Sequence, residues 1–104
     1  PRRYERPLVP ACVVMASGGY PKSYPKGIEI KGLDENGQIS GATVYHAGTV
    51  YRDGRFFTNG GRVLGVTACG AGLDEALEKA YDAVERISFD GAHYRKDIGK
   101  IGIQ

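Results

Sequence analysis

A chain of 104 residues, 41% hydrophobic and 25% charged, has the composition of one globular domain, able to bury about two-thirds of its unfolded surface. Its 14 basic and 12 acidic residues leave a formal charge of only +2, too balanced for the basic stripe that nucleic-acid binding demands. The longest apolar run, residues 11–16, is far short of the roughly 20 residues a membrane span requires.

In chain order, Arg2, Arg3 and Arg6 read as a solvated terminus, and residues 1–10 as a linker or domain edge ahead of a domain over 11–104. The first residue is Pro1 rather than Met, so a piece of a longer polypeptide is expected. Residues 9–17, "VPACVVMAS", form an apolar run whose valines favour a buried strand. "GGYPKSYPKG" follows as a loop, since proline donates nothing to a central ladder. A short strand is expected over 27–30, then a polar turn in "DENGQ" around Asn36-Gly37, then a strand over 43–47.

"VYRDGRFF" sets Asp53-Gly54 between two aromatic-containing arms, a hairpin signal. Residues 62–67 resume as a strand, with Asn59-Gly60-Gly61 expected as a tight reversal before it. Leu73, Leu77, Ala80, Tyr81, Val84 and Ile87 recur at three and four residues, which predicts an amphipathic helix over 73–88 burying Leu77, Tyr81 and Val84. Gly72 is the expected N-cap, Asp74 and Glu75 complement the helix dipole, and Glu75–Lys79 and Asp82–Arg86 are ion pairs in the favourable order. The tail "AHYRKDIGKIGIQ" follows neither period and reads as irregular, with Arg95 and Asp97 as a possible structural pair. The class is α+β: a small antiparallel sheet of four or five strands with one long helix packed on it.

Cys12 and Cys69 sit in apolar strand runs without CxxC spacing, and are expected as free, largely buried thiols in a reducing compartment. No GxxxxGK[ST], GxSxG or HExxH motif is present, and His46 and His93 lack acids at metal-ligand spacing, so no catalytic or metal residue is assigned. Two glycine-rich corners remain, Ser17-Gly18-Gly19-Tyr20 and Asn59-Gly60-Gly61-Arg62, each after an apolar strand. Backbone N–H groups at such turns can cradle an anion, and Arg62 adds a planar donor fork. Spacing alone leaves open whether these are anion sites or ordinary turns.

The blocks "VVMASGGYPKSYPKG", "HAGT", "TNGGRVLGVTACG", "EALEKAYDAVERISFDG" and "YRKDIG", in this order, resemble the C-terminal domain of the phosphoribosylamine–glycine ligase family, also called glycinamide ribonucleotide synthetases, of the ATP-grasp superfamily. The match covers residues 11–99. The resemblance implies a reaction of purine biosynthesis in the cytoplasm. ATP phosphorylates glycine, and the amine of 5-phosphoribosylamine attacks the acyl phosphate to give glycinamide ribonucleotide. It further implies that ATP and magnesium are held by ATP-grasp domains that precede this one in the same polypeptide, and that this domain packs against them and helps close the cleft. The chain alone is then expected to fold without catalysing. In that setting Asn59, Gly60, Gly61 and Arg62 become candidates for contact with substrate or phosphate, with Ser17, Gly18, Gly19, Tyr20, His46 and Thr49 ranked behind them. A stand-alone, non-catalytic binding module of the same ancestry is the competing reading.

Overall fold

The computed structural model describes residues 8–95. Alternation along β1 (Val9–Ala16) turns Ala11, Val13 and Met15 inward and Pro10, Cys12 and Val14 outward, until a register shift after Met15 leaves Ala16 buried as well. β6 (Arg62–Gly70) runs antiparallel beside it, with Ala11 opposite Ala68 and Val13 opposite Val66. β3 (Thr43–His46) takes the other edge of β6, placing Val44 opposite the same Val66. The inward faces of these three strands form the floor of the core.

A second three-stranded sheet lies in the order β2 (Glu29–Ile30), β5 (Arg55–Thr58), β4 (Thr49–Arg52). Asp53 and Gly54 join β4 to β5 with φ of 52° and 78°. This is the two-residue reversal whose twist suits a hairpin, with glycine at one of its left-handed positions. The expected α+β class therefore stands, with six strands among the described residues divided between two sheets.

The predicted helix is α1, Leu73–Arg86. Ala76, Leu77, Ala80, Ala83 and Val84 are buried, and the helix packs on β1 and β6. Gly72 is the N-cap and offers no side chain; the Glu75 carboxylate instead accepts from the Ala71 N–H at 2.8 Å. Both expected ion pairs form, Glu75–Lys79 at 3.4 Å and Asp82–Arg86 at 3.2 Å. Helical geometry stops at Ile87, whose extended backbone carries the chain into a bridge between Ser88 and Lys31.

Four expectations are corrected. Tyr81 is half-buried rather than buried, because its hydroxyl reaches out to donate to the Arg95 carbonyl at 2.8 Å. Cys12 and Cys69 are free but exposed. They fall on the outward side of β1 and β6, while α1 covers only the inward side. Asn59-Gly60-Gly61 is not a hairpin reversal: it carries the chain from the second sheet into the first. The tail is not wholly irregular, since His93 forms a two-way backbone bridge with Ala16. Asp97 and the basic trio Arg2, Arg3 and Arg6 lie outside the described residues, and β1 begins at Val9, within the stretch expected to be linker or domain edge.

Candidate functional site

Two of the links that carry the chain between the sheets are short: the β3–β4 link, Ala47-Gly48, and the β5–β6 link, Asn59–Gly61. These crossings lie against each other. The Asn59 N–H donates to the Gly48 carbonyl at 2.8 Å, and a Cβ on Gly48 would stand only 3.0 Å from the Gly60 α-carbon. Glycine is needed here for close backbone approach rather than for an unusual φ.

The end of β1 completes the corner. Ser17 donates its backbone N–H to the Gly61 carbonyl and its hydroxyl to the Gly60 carbonyl, both at 2.7 Å. Tyr20 lays its ring over Gly61, and its hydroxyl accepts from Arg62 Nε at 3.3 Å. His46 and Thr49 flank the first crossing. The Gly37 carbonyl, 2.9 Å from His46 Nε2, can only accept, so that nitrogen carries a proton. In the neutral ring, His46 Nδ1 then accepts the Thr49 hydroxyl, also at 2.9 Å.

All ten candidate residues thus meet in one patch, although they come from three separate stretches of sequence. Gly48 and His93 join them unpredicted. Gly48 stood in the recognisable "HAGT" block, so a signal for it existed. His93 donates Nε2–H to the Ser17 carbonyl at 3.0 Å, a role that nothing in the aperiodic tail foretold.

The chemistry of the patch is that of a donor surface. Gly18, Gly19, Gly60 and Gly61 make no backbone N–H hydrogen bond among the described residues. Arg62 is exposed and enters none of the ion pairs found there. Its hydrogen bond to Tyr20, and secondarily the charge interaction with that hydroxyl, raises its pKa further above the usual arginine value, so it is a fixed cation. Gly19, His46, Asn59 and Arg62 all face solvent, leaving the corner open. Open depressions lie elsewhere, one at the hairpin tip between Arg52, Asp53, Arg55 and Phe57, another beside α1 between Glu78, Lys79, Asp82 and Arg86. Depth does not mark the corner; its unpaired donors do. Among the described residues no three His, Cys, Asp or Glu side chains gather as a metal set. No described helix is long and apolar enough to cross a membrane.

Residues 10–101 match the family described as phosphoribosylglycinamide synthetase, C domain. The chain belongs to the phosphoribosylglycinamide synthetase C-domain family. A phosphoribosylamine–glycine ligase of Synechocystis sp. is 57% identical over 88 residues, which cover 85% of this chain and 21% of that protein. The trifunctional purine biosynthetic protein adenosine-3 of Gallus gallus is 55% identical over 84% of this chain and 9% of its own length. The crystal structure of the phosphoribosylamine–glycine ligase of Thermotoga maritima superposes with a TM-score of 0.73 at 38% identity, over 85% of this chain and 21% of that one. This C domain therefore spans about a fifth of the ligases it resembles.

Proposed function

We propose that the chain is the C-terminal domain of an ATP-dependent ligase that joins glycine to 5-phosphoribosylamine in purine biosynthesis, and that its glycine corner closes one side of the active cleft. The corner carries this reading: three strand ends converge on a fixed cation and on the unpaired N–H groups of Gly18, Gly19 and Gly60, with Gly61 buried beneath the Tyr20 ring and no carboxylate in an ion pair with Arg62 among the described residues. A carboxylate, a ribose phosphate and a polyphosphate must meet in such a ligase, and each presents oxygen to donors of this kind. Arg62 would supply charge-assisted hydrogen bonds in plane with an anionic oxygen, held at the right height by Tyr20. Ser17 and His93 would keep the backbone of the corner from yielding when that oxygen arrives. ATP and magnesium, held by the rest of the ligase, would supply the activated phosphoryl group. Two exposed, unbridged thiols fit a cytoplasmic setting.

The test is Arg62→Ala in the complete ligase, with Arg62→Lys beside it. Loss of a charge-assisted bond should lower kcat/KM by roughly 10- to 150-fold, with lysine restoring only part. The unfolding midpoint of the 104-residue chain should barely move, because the side chain stands in solvent. Kinetics unchanged within about twofold would refute the role, since that is too little for any such bond.

A further inference from the structure

The His46 ring is held on three sides. Its Nε2–H donates to the Gly37 carbonyl and its Nδ1 faces the Thr49 hydroxyl, each at 2.9 Å, and the ring leans on Phe56 with centroids 4.9 Å apart. Gly37, at φ 75°, comes so close that a Cβ there would press on both rings. With both nitrogens engaged by the protein, His46 has no polar atom left for a ligand. Its effect falls on Thr49. A hydroxyl carries one hydrogen, and in the neutral ring that hydrogen goes to Nδ1, so Thr49 Oγ1 offers only lone pairs to anything else. Among the described residues Oγ1 makes no other side-chain hydrogen bond.

That acceptor differs from the rest of the corner. Gly18, Gly19 and Gly60 offer N–H groups and Arg62 a guanidinium. The carbonyls of Gly48, Gly60 and Gly61 are already bonded within the corner, and the Asn59 amide can turn either way. Thr49 directly follows Gly48, whose carbonyl takes the Asn59 N–H, so the fixed acceptor rides on the crossing that braces the donors. A ligand suited to both carries an anionic group and, in the same small molecule, a hydrogen to donate. A carboxylate or an ionised polyphosphate has no such hydrogen. An amino acid has one in its ammonium, but a second cation is repelled by Arg62, which has no carboxylate in an ion pair among the described residues. A neutral hydroxyl is the donor that fits.

We propose that His46 is a positioning residue that locks Thr49 as a hydrogen-bond acceptor, and that Thr49 reads a hydroxyl of a sugar phosphate whose phosphate lies on the donors of the corner, an inference that rests on the functional reading above. The donors call for an anion. The Thr49 lone pair selects among anions, favouring a phosphorylated sugar over inorganic phosphate or glycine. An acceptor that gives up its water and meets no hydrogen is left unsatisfied, so ligands without the hydroxyl are disfavoured.

The test uses the complete ligase and two probes, ribose 5-phosphate and inorganic phosphate, as inhibitors competing with 5-phosphoribosylamine. Thr49→Val, of nearly the same shape, should raise the inhibition constant of ribose 5-phosphate roughly fivefold, as loss of one hydrogen bond does, and leave that of inorganic phosphate within about twofold. Thr49→Ser should restore the native ratio. His46→Asn, which sets an amide oxygen where Nδ1 stood, should keep the ratio. His46→Gln, whose amide nitrogen reaches only Gly37, should narrow it, because the freed hydroxyl can then donate to a phosphate. These two variants read the ratio without altering β4. An unchanged ratio in Thr49→Val, or a rise in the glycine KM alone, would overturn the assignment. Equal effects of His46→Asn and His46→Gln would overturn the positioning role. Arg62→Ala should weaken both probes alike, which separates the two readings. A ratio lost in Thr49→Val, with both probes indifferent to Arg62→Ala, would remove the cation and keep the hydroxyl contact; the converse would keep the anion site and remove the contact to the sugar.

Discussion

The ring of Tyr20 lies so close above Gly61 that a Cβ at position 61 would fall among the ring atoms. Gly61 is therefore fixed by a side chain 41 positions earlier, not by its own backbone angle, and the same ring sets the hydroxyl that receives Arg62. Gly61→Ala should push the ring aside and release Arg62. Because Tyr20 can swing outward, the stability lost should be about 1 kcal/mol, at the low end for overpacking. Urea unfolding of Gly61→Ala, Tyr20→Ala and the double variant measures it. The two changes should be clearly non-additive, the alanine costing little once the ring is gone.

Ser17 is the joint between β1 and the β5–β6 crossing. It is only 3% exposed, and among the described residues its hydroxyl has one partner, the Gly60 carbonyl. Ser17→Ala should cost about 1 kcal/mol, the usual net value of one such bond. Amide exchange should quicken most at residues 17 and 59, whose N–H groups are bonded in the corner, while α1 keeps its protection.

Leu77 anchors the N-terminal half of α1 against Ala11 of β1, in one cluster with its helix neighbour Ala76, and is 4% exposed. Leu77→Ala should destabilise the chain by about 2–5 kcal/mol, through lost burial and the cavity left behind. Tyr81→Phe, at the half-buried neighbour, should cost far less, because its hydroxyl bond sits at the surface. Equal losses from the two would mean that the helix is rotated from the face described.

Glu75 makes the helix start sensitive to acid. The Ala71 N–H, and secondarily Lys79, lower its pKa from the ordinary 4.5. The folded value lies below the unfolded one, so this contribution is fully present above pH 4.5 and is lost as pH falls through the folded value. The difference in unfolding midpoint between the native chain and Glu75→Gln should shrink steadily on acidification below that point. A difference that grows instead would show that the carboxylate is not the cap.

The elements that were legible in advance are those whose signal is local. The period of α1, the alternation in β1 and the Asp53-Gly54 hairpin each rest on residues a few positions apart. Strand pairing is not local. Nothing near Asn59 reveals that β5 and β6 belong to different sheets, because a glycine crossing and a glycine hairpin have the same composition. Cys12 and Cys69 misled for a related reason: where outward residues are themselves uncharged they look like core, and an apolar run hides its alternation. The candidate residues were recognisable as motif blocks, but their meeting was not. Ser17 with Gly60, Tyr20 with Arg62 and Gly48 with Gly60 are contacts of tertiary structure, and His93 enters by a backbone bridge that follows no period.

The same bonds fix when the corner can exist. Ser17 reaches its partner across 43 positions, Tyr20 reaches Arg62 across 42, and His93 reaches Ser17 across 76. The bonds that tie Ser17, Tyr20 and His93 into the corner do not form between neighbours in the chain, so each waits on the closure of a long loop. A ribosome that has released only the first sixty residues of this stretch has made every glycine of the corner except Gly61, yet no corner. Its assembly belongs to the last act of folding, after β6 has docked and the chain has returned from α1, and a polypeptide cut short before His93 would leave Ser17 without that support.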